Sequence, residues 1–197
     1  MGLRQIRRRL EKKRVAAQQR FRRQKNANLL ARPGANDFVI ILDGLKPSFN
    51  IGKIFRSADA FGAREIHLVG IDFFDPAPAM GSFKWVPARF HDHFESCYRD
   101  LIGNGYTLFT MDPVEGPPLT RTALPRRSAF IFGHEEFGIS ADISAYTDIQ
   151  SLTIPQFGKV QSLNVSIAAS IAMWEYLRQH SLSPAGTLKN PEAESPL

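Results

Sequence analysis

The stretch Ile154-Pro155-Gln156-Phe157-Gly158-Lys159-Val160-Gln161-Ser162-Leu163-Asn164-Val165-Ser166 sets a strand, a loop and a buried helix in succession. A strand over 148–154 stops at Pro155, and Gly158 marks the loop. The helix over 163–180 is apolar on nearly every side from Val165 to Trp174, so more than one of its faces is covered. Capping explains one of Ser162, Asn164 and Ser166 well, but not all three. The pattern therefore puts hydroxyls and an amide at a helix N-terminus inside a crevice.

The same alternation runs back along the chain. Apolar runs at 38–42, 65–69, 106–111 and 129–132 read as strands, the first ending at the turn signal Asp43-Gly44. Helical spacing follows Asn50 (Ile51, Ile54, Phe55, Ala58, Phe61) and recurs over 94–102 before Gly103-Asn104-Gly105. Strand–helix alternation predicts an α/β fold with a mostly parallel sheet flanked by helices. Ligands of such sheets sit at the carboxyl ends of the strands.

Charge divides the 197 residues unevenly. Residues 1–35 hold 12 Lys/Arg against the single acid Glu11, a net +11, whereas the remainder is −5. A basic arm over 1–35, a body over 36–180 and a Pro/Ser-rich flexible tail over 181–197 are expected. Leu3, Ile6, Leu10, Val15, Ala17 and Phe21 give the arm a narrow apolar stripe at helical spacing. So much cation with so little acid points to a nucleic-acid backbone as partner. No run reaches the roughly 18 apolar residues of a membrane helix. The basic N-terminus lacks the apolar region of a secretory signal. A single cysteine, Cys97, rules out an internal disulfide framework. These features together read as a cytoplasmic, membrane-free protein. His91, His93 and Cys97 are three possible metal ligands without a fourth at a recognisable spacing, so no metal is expected, and His67 is given no role.

Two further segments carry chemistry. In Asn50-Ile51-Gly52-Lys53-Ile54-Phe55-Arg56-Ser57-Ala58 the apolar stripe faces the core, and Arg56 projects about 200° away from Ile54. By itself this is a capping Asn and a solvated Arg. In Ile131-Phe132-Gly133-His134-Glu135-Glu136-Phe137-Gly138 a buried strand ends in a Gly-bounded acidic loop. The two carboxylates suit a hydroxyl, an amine or an Arg rather than a phosphate. Phosphate-loop, dinucleotide and nucleophile-elbow motifs are missing.

The order N-x-G-x-I-x-R-[ST]-A, F-G-x-E-x-x-G and I-P-x-x-G-x-x-x-S-L-N-V-S-x-A resembles the three motifs of the SpoU family. These are S-adenosyl-L-methionine-dependent RNA ribose 2′-O-methyltransferases of the SPOUT superfamily. The resemblance spans roughly 36–180, and Gly81-Ser82-Phe83-Lys84-Trp85-Val86 is similar to a stretch of the tRNA guanosine-18 branch. One departure is Gln156, where the family commonly has Met. The resemblance implies a C-terminal trefoil knot, which sequence pattern alone would never suggest. It also implies a homodimer and no metal. It assigns Arg56, Asn50, Glu135, Ser162 and Asn164 to catalysis, and Thr110, Gly133, Ile154 and Leu163 to the cofactor. In the family Arg56 is central. Two roles are open to it: a base, deprotonated in a special site, or a charged anchor for the developing alkoxide and the adjacent phosphate; because a guanidinium gives up its proton so reluctantly, the second is the expected one. tRNA is favoured over rRNA as substrate. A non-catalytic RNA-binding knotted protein is the rival of a different class.

Overall fold

The computed structural model describes residues 3–47 and 49–181. The tail expected over 181–197 lies, from 182 onward, outside the described residues.

All six residues of β1 (Phe38–Asp43) are buried. That follows from its place: β2 (Glu65–Val69) and β5 (Ser128–Phe132) pair with its two edges, and helices cover both faces. A strand covered on both faces needs a continuous apolar run rather than alternation, as Phe-Val-Ile-Ile-Leu supplies. β3 (Ala88–His91), β4 (Thr107–Met111) and β6 (Gln150–Leu152) complete a six-stranded sheet of order β3-β2-β1-β5-β4-β6. Every pairing is parallel.

The strand pleat divides the core in two. Phe38, Ile40 and Leu42 face the larger cluster, which holds Ile51, Ile54 and Phe55 of α2 (Phe49–Ala60) and Met173 and Tyr176 of α4 (Val165–His180). Val39 and Ile41 face the smaller cluster, built with Phe94, Cys97 and Leu101 of α3 (Phe94–Gly103). The mixed surface of α4 is visible in its exposure: Ala169, Ala172 and Met173 are fully buried, whereas Ile167 and Trp174, two turns apart on one side, are half exposed.

Two elements differ from the sequence pattern. The edge strand β3 was not expected, because Ala-Arg-Phe-His is short, half exposed and lacks β-branched residues. The last strand is three residues rather than seven: it is confined to Gln150–Leu152, where the backbone meets β4.

The basic segment is one continuous helix, α1 (Leu3–Asn28), with two unlike halves. Residues 4–16 are exposed throughout, and seven of them are Lys or Arg. Beyond them Ala17, Phe21, Gln24 and Asn28 are buried, at spacings of four, three and four. Phe21 packs among Phe73, Phe74, Phe83 and Phe90 at centroid distances of 5.2–6.4 Å. Asn28 closes the docking. Its Nδ2 donates to the carbonyls of Phe83 (2.6 Å) and Val86 (2.7 Å), and its Oδ1 accepts from the Ala88 N–H (3.0 Å). The second half of the arm thus belongs to the body, because its stripe turns apolar where the first half is cationic.

Replacing Asn28 with Ala leaves two buried carbonyls and one N–H without their partner. The expected loss is about 2–3 kcal/mol in urea unfolding, with the denaturant slope unchanged.

Candidate active site

The site lies where β4, β5 and β6 end and α4 begins. β5 gives way at Gly133, where any side chain is excluded: a Cβ there would meet the backbone of Gly138 and sit 2.6 Å from the Ile139 nitrogen. The two-way backbone pairing of His134 with Gly138 (2.7 and 2.9 Å) folds the loop back on itself. Asp43, at the end of β1, then pins it. Its carboxylate accepts from the Ser140 N–H (2.6 Å) and hydroxyl (2.9 Å). Burial raises the pKa of this carboxyl, and the Ser140 hydrogen bonds act in the opposite direction.

Glu135, at the tip of the pinned loop, meets the first turn of α2. Asn50 donates from Nδ2 to Glu135 Oε1 (2.9 Å), and its Oδ1 accepts from Asn164 Nδ2 (3.3 Å). Asn164 is in turn the N-cap of α4. Its Oδ1 accepts from the Ser166 N–H (3.0 Å) and the Ser166 hydroxyl (2.6 Å). One chain of hydrogen bonds therefore joins the three segments that the sequence singles out. A second link lies deeper: the hydroxyls of Ser57 and Ser170 are 2.8 Å apart and tie α2 to α4.

Beside this chain opens a cavity of about 720 Å³, whose lining includes Thr110, Gly133, Glu135, Ser162, Leu163 and Asn164. Ile154 is not on that wall. It lines an adjoining hollow of about 70 Å³ with Met111, Gln156 and Leu163. The hollow contains an anomaly: Gln156 Oε1 is buried and has no hydrogen-bond partner.

The expected residues are thus distributed in three ways. Asn50, Glu135 and Asn164 are in mutual contact. Thr110, Gly133, Ser162 and Leu163 share the cavity wall. Arg56 stands apart, exposed on α2, with no hydrogen bond or ion pair to any described residue. Two contributors were not expected from sequence. Asp112 lines both hollows directly after β4, where Asp-Pro reads only as a turn. Asp43 reads as a turn residue too, yet it holds the acidic loop from 97 positions away.

Comparison with known proteins identifies the family. Residues 37–174 match the SpoU rRNA Methylase family. A relative from Thermus thermophilus, named tRNA (guanosine(18)-2′-O)-methyltransferase, is 32% identical over 148 residues, covering 73% of this chain and 75% of that protein. The crystal structure of the A. aeolicus TrmH/SpoU tRNA modifying enzyme shares the fold, with a TM-score of 0.67 at 24% identity over 84% of this chain and 90% of that one. An AdoMet-bound rRNA methyltransferase from Sinorhizobium meliloti superposes with a TM-score of 0.66 at 26% identity, over 80% of this chain and 61% of that one. With the family match running through every segment of the site, the chain belongs to the SpoU methylase family.

Proposed function

We propose that this chain moves a methyl group from S-adenosyl-L-methionine to a ribose 2′-hydroxyl of tRNA, acting in the cytoplasm as a homodimer. The observation that carries the reading is the Glu135–Asn50–Asn164 hydrogen-bond chain at the rim of the cavity. It fixes polar groups of three separate segments in one orientation, as positioning of a reacting hydroxyl requires.

The cavity suits the cofactor. Its walls mix apolar side chains (Ile131, Leu163, Val165) with Thr110, Ser162 and the close-packed Gly133 backbone. Gln156 Oε1 is a buried acceptor awaiting a donor, and the exocyclic amine of adenine is one. S-adenosyl-L-methionine supplies an electrophilic methyl on a sulfonium. Thr110, Gly133 and Leu163 would hold it in the larger hollow, with Ile154 and Gln156 in the smaller.

The chain's own groups do the rest. Glu135 and Asn50 orient the ribose. Ser162 and Asn164 shape the crevice at the α4 N-terminus. Arg56, exposed and unengaged, is available to an RNA phosphate and carries a fixed positive charge to the developing alkoxide. The cationic half of α1 extends the footprint along the RNA backbone. The half-exposed Ile167 and Trp174 on one side of α4 support a dimer contact through that helix. For the trefoil knot, the support is the crowding around the last strands. Pro118 bridges Thr153, and the Gly116 backbone lies so close to Ser151 that a Cβ would come within 2.5 Å of its carbonyl oxygen.

Tritium transfer from labelled cofactor into separate pools of unmodified tRNA and rRNA tests the reading. Label is expected in tRNA as an alkali-resistant dinucleotide. Arg56→Ala is expected to lower the rate at least about 100-fold while leaving cofactor affinity within about threefold. Label in rRNA alone would move the substrate; no cofactor binding would leave an RNA-binding scaffold.

Two narrower outcomes are expected. Gln156→Leu removes the proposed acceptor for adenine and weakens cofactor binding by about 5–20-fold in calorimetry. Replacing Arg7, Arg8 and Lys12 with Gln leaves the fold intact and lowers the slope of log K against log salt for RNA binding by about 2–3.

A further inference from the structure

At the sheet edge opposite the cavity, three side chains from three elements converge. His67 lies on β2, His91 on β3 and Cys97 on α3. Their ligand atoms all fall within 4.8 Å of one another. His91 Nε2 is 3.0 Å from His67 Nδ1, and Cys97 Sγ is 3.3 Å from that same nitrogen. His67 and Cys97 are completely buried, and His91 is half-buried. The pair that sequence spacing suggested, His91 with His93, is not the one brought together. His93 is exposed ahead of α3, and the strand ladder sets His67 diagonally beside His91 instead.

We propose that His67 Nδ1, His91 Nε2 and Cys97 Sγ form a three-ligand zinc-binding site.

Donor geometry carries the argument. His67 Nε2 faces Glu65 Oε1 at 3.1 Å, and the other oxygen of that carboxylate accepts from Arg89 at 2.8 Å. With the Nε2 proton directed at Glu65, Nδ1 presents its one lone pair to the cluster. On the other ring, His91 Nδ1 lies 3.4 Å from the Ser96 hydroxyl, so a proton on Nδ1 leaves Nε2 bare.

Without a cation, His67 Nδ1 has one lone pair for two neighbours, His91 Nε2 at 3.0 Å and Cys97 Sγ at 3.3 Å, so at most one of them is hydrogen-bonded to it. A divalent ion resolves the conflict by taking all three lone pairs. Zn–N bonds of about 2.0–2.1 Å and Zn–S of about 2.3 Å place tetrahedral donors roughly 3.3–3.7 Å apart, a few tenths of an ångström beyond the two close distances here. Glu65 behind His67 repeats the carboxylate–histidine–metal arrangement that orients ligands in zinc proteins. The carboxylate behind His67 is itself held in place, since Arg89 bridges Glu65 and Asp100. An N₂S donor set selects a zinc-like ion over Mg²⁺ or Ca²⁺. On binding, the Cys97 S–H proton goes to solvent and a Zn–S bond forms. None of the three ligands lines the cavity proposed for the cofactor, so this site stands or falls independently of the methyl-transfer reading.

The full chain, stripped with a chelator, is titrated with Zn²⁺ and, separately, with Co²⁺ as a spectroscopic probe. The expected result is one ion per chain and a rise in Tm of roughly 5–10 °C at a hundredfold excess over Kd. Co²⁺ should give tetrahedral visible bands and a thiolate charge-transfer band. Cys97→Ser abolishes the charge-transfer band, and His91→Asn, at the less buried position, weakens binding by more than about 100-fold while the circular dichroism is unchanged. Glu65→Gln, which removes no ligand, costs about 10–100-fold. Failure to bind Zn²⁺ at micromolar concentration would overturn the site, as would binding that His91→Asn leaves unchanged; the cluster would then be a hydrogen-bonded packing feature only.

Discussion

The burial of β1 on both faces and both edges is the constraint from which the rest follows. Five of its six residues are apolar and wholly buried, so the strand has one permissible depth in the sheet. The sixth, Asp43, closes the strand at 1% exposure and must find donors. It finds them on Ser140, across the sheet in the chain that follows β5. The demand of one buried carboxylate therefore fixes the loop that carries Glu135. Glu135 on that loop accepts from Asn50.

That sequence of constraints explains why the site sits at the carboxyl ends of β4, β5 and β6, beside the end of β1. In an all-parallel sheet every strand ends on the same side, and each ending must turn into a loop. Here three endings are shaped by different means. Gly133 permits close approach of two backbones, Asp43 anchors, and β6 ends at Leu152 with its pairing to Met111 of β4. α2 and α4 start beside one another on the same rim, held by the Ser57–Ser170 pair and packed side by side. Asn50 and Asn164 are neighbours because their helices are.

Much of this was legible in the residues. The strands at 38–42, 65–69 and 129–132 announce themselves because burial on both faces forces an unbroken apolar run. The three segments around Asn50, Glu135 and Asn164 stand out because capping and turn chemistry do not exhaust their polar residues. Their mutual contact was not legible from periodicity, because it depends on strand order and not on spacing. The same holds for His67: its neighbours in the chain are apolar, and only the pairing of β2 with β3 sets it against His91. β3 itself was invisible, since an edge strand half open to solvent has no pattern of its own. The division of α1 was half visible. The cationic run is plain in the sequence, but Gln24 and Asn28 are polar residues whose burial only the docked partner explains.

The two halves of α1 have a consequence for the RNA contact proposed for the arm. A cationic tail joined through a flexible linker contributes charge without direction. In this chain the charged turns continue, with no break in the helix, from turns locked into the core by Phe21 and Asn28. Lys25 adds to the lock by resting 3.9 Å from the centre of the Phe90 ring, and Arg20 by pairing with Asp75 at 3.3 Å. The first half is therefore held at a set angle to the sheet. Charge presented at a set angle gives a backbone contact that fixes register as well as affinity, which is the part phosphate contacts play in positioning a nucleic acid. Asn28 reaches the carbonyls on either side of Trp85. The docked half of the helix thus also sets the backbone beneath it, from which Trp85 projects half exposed.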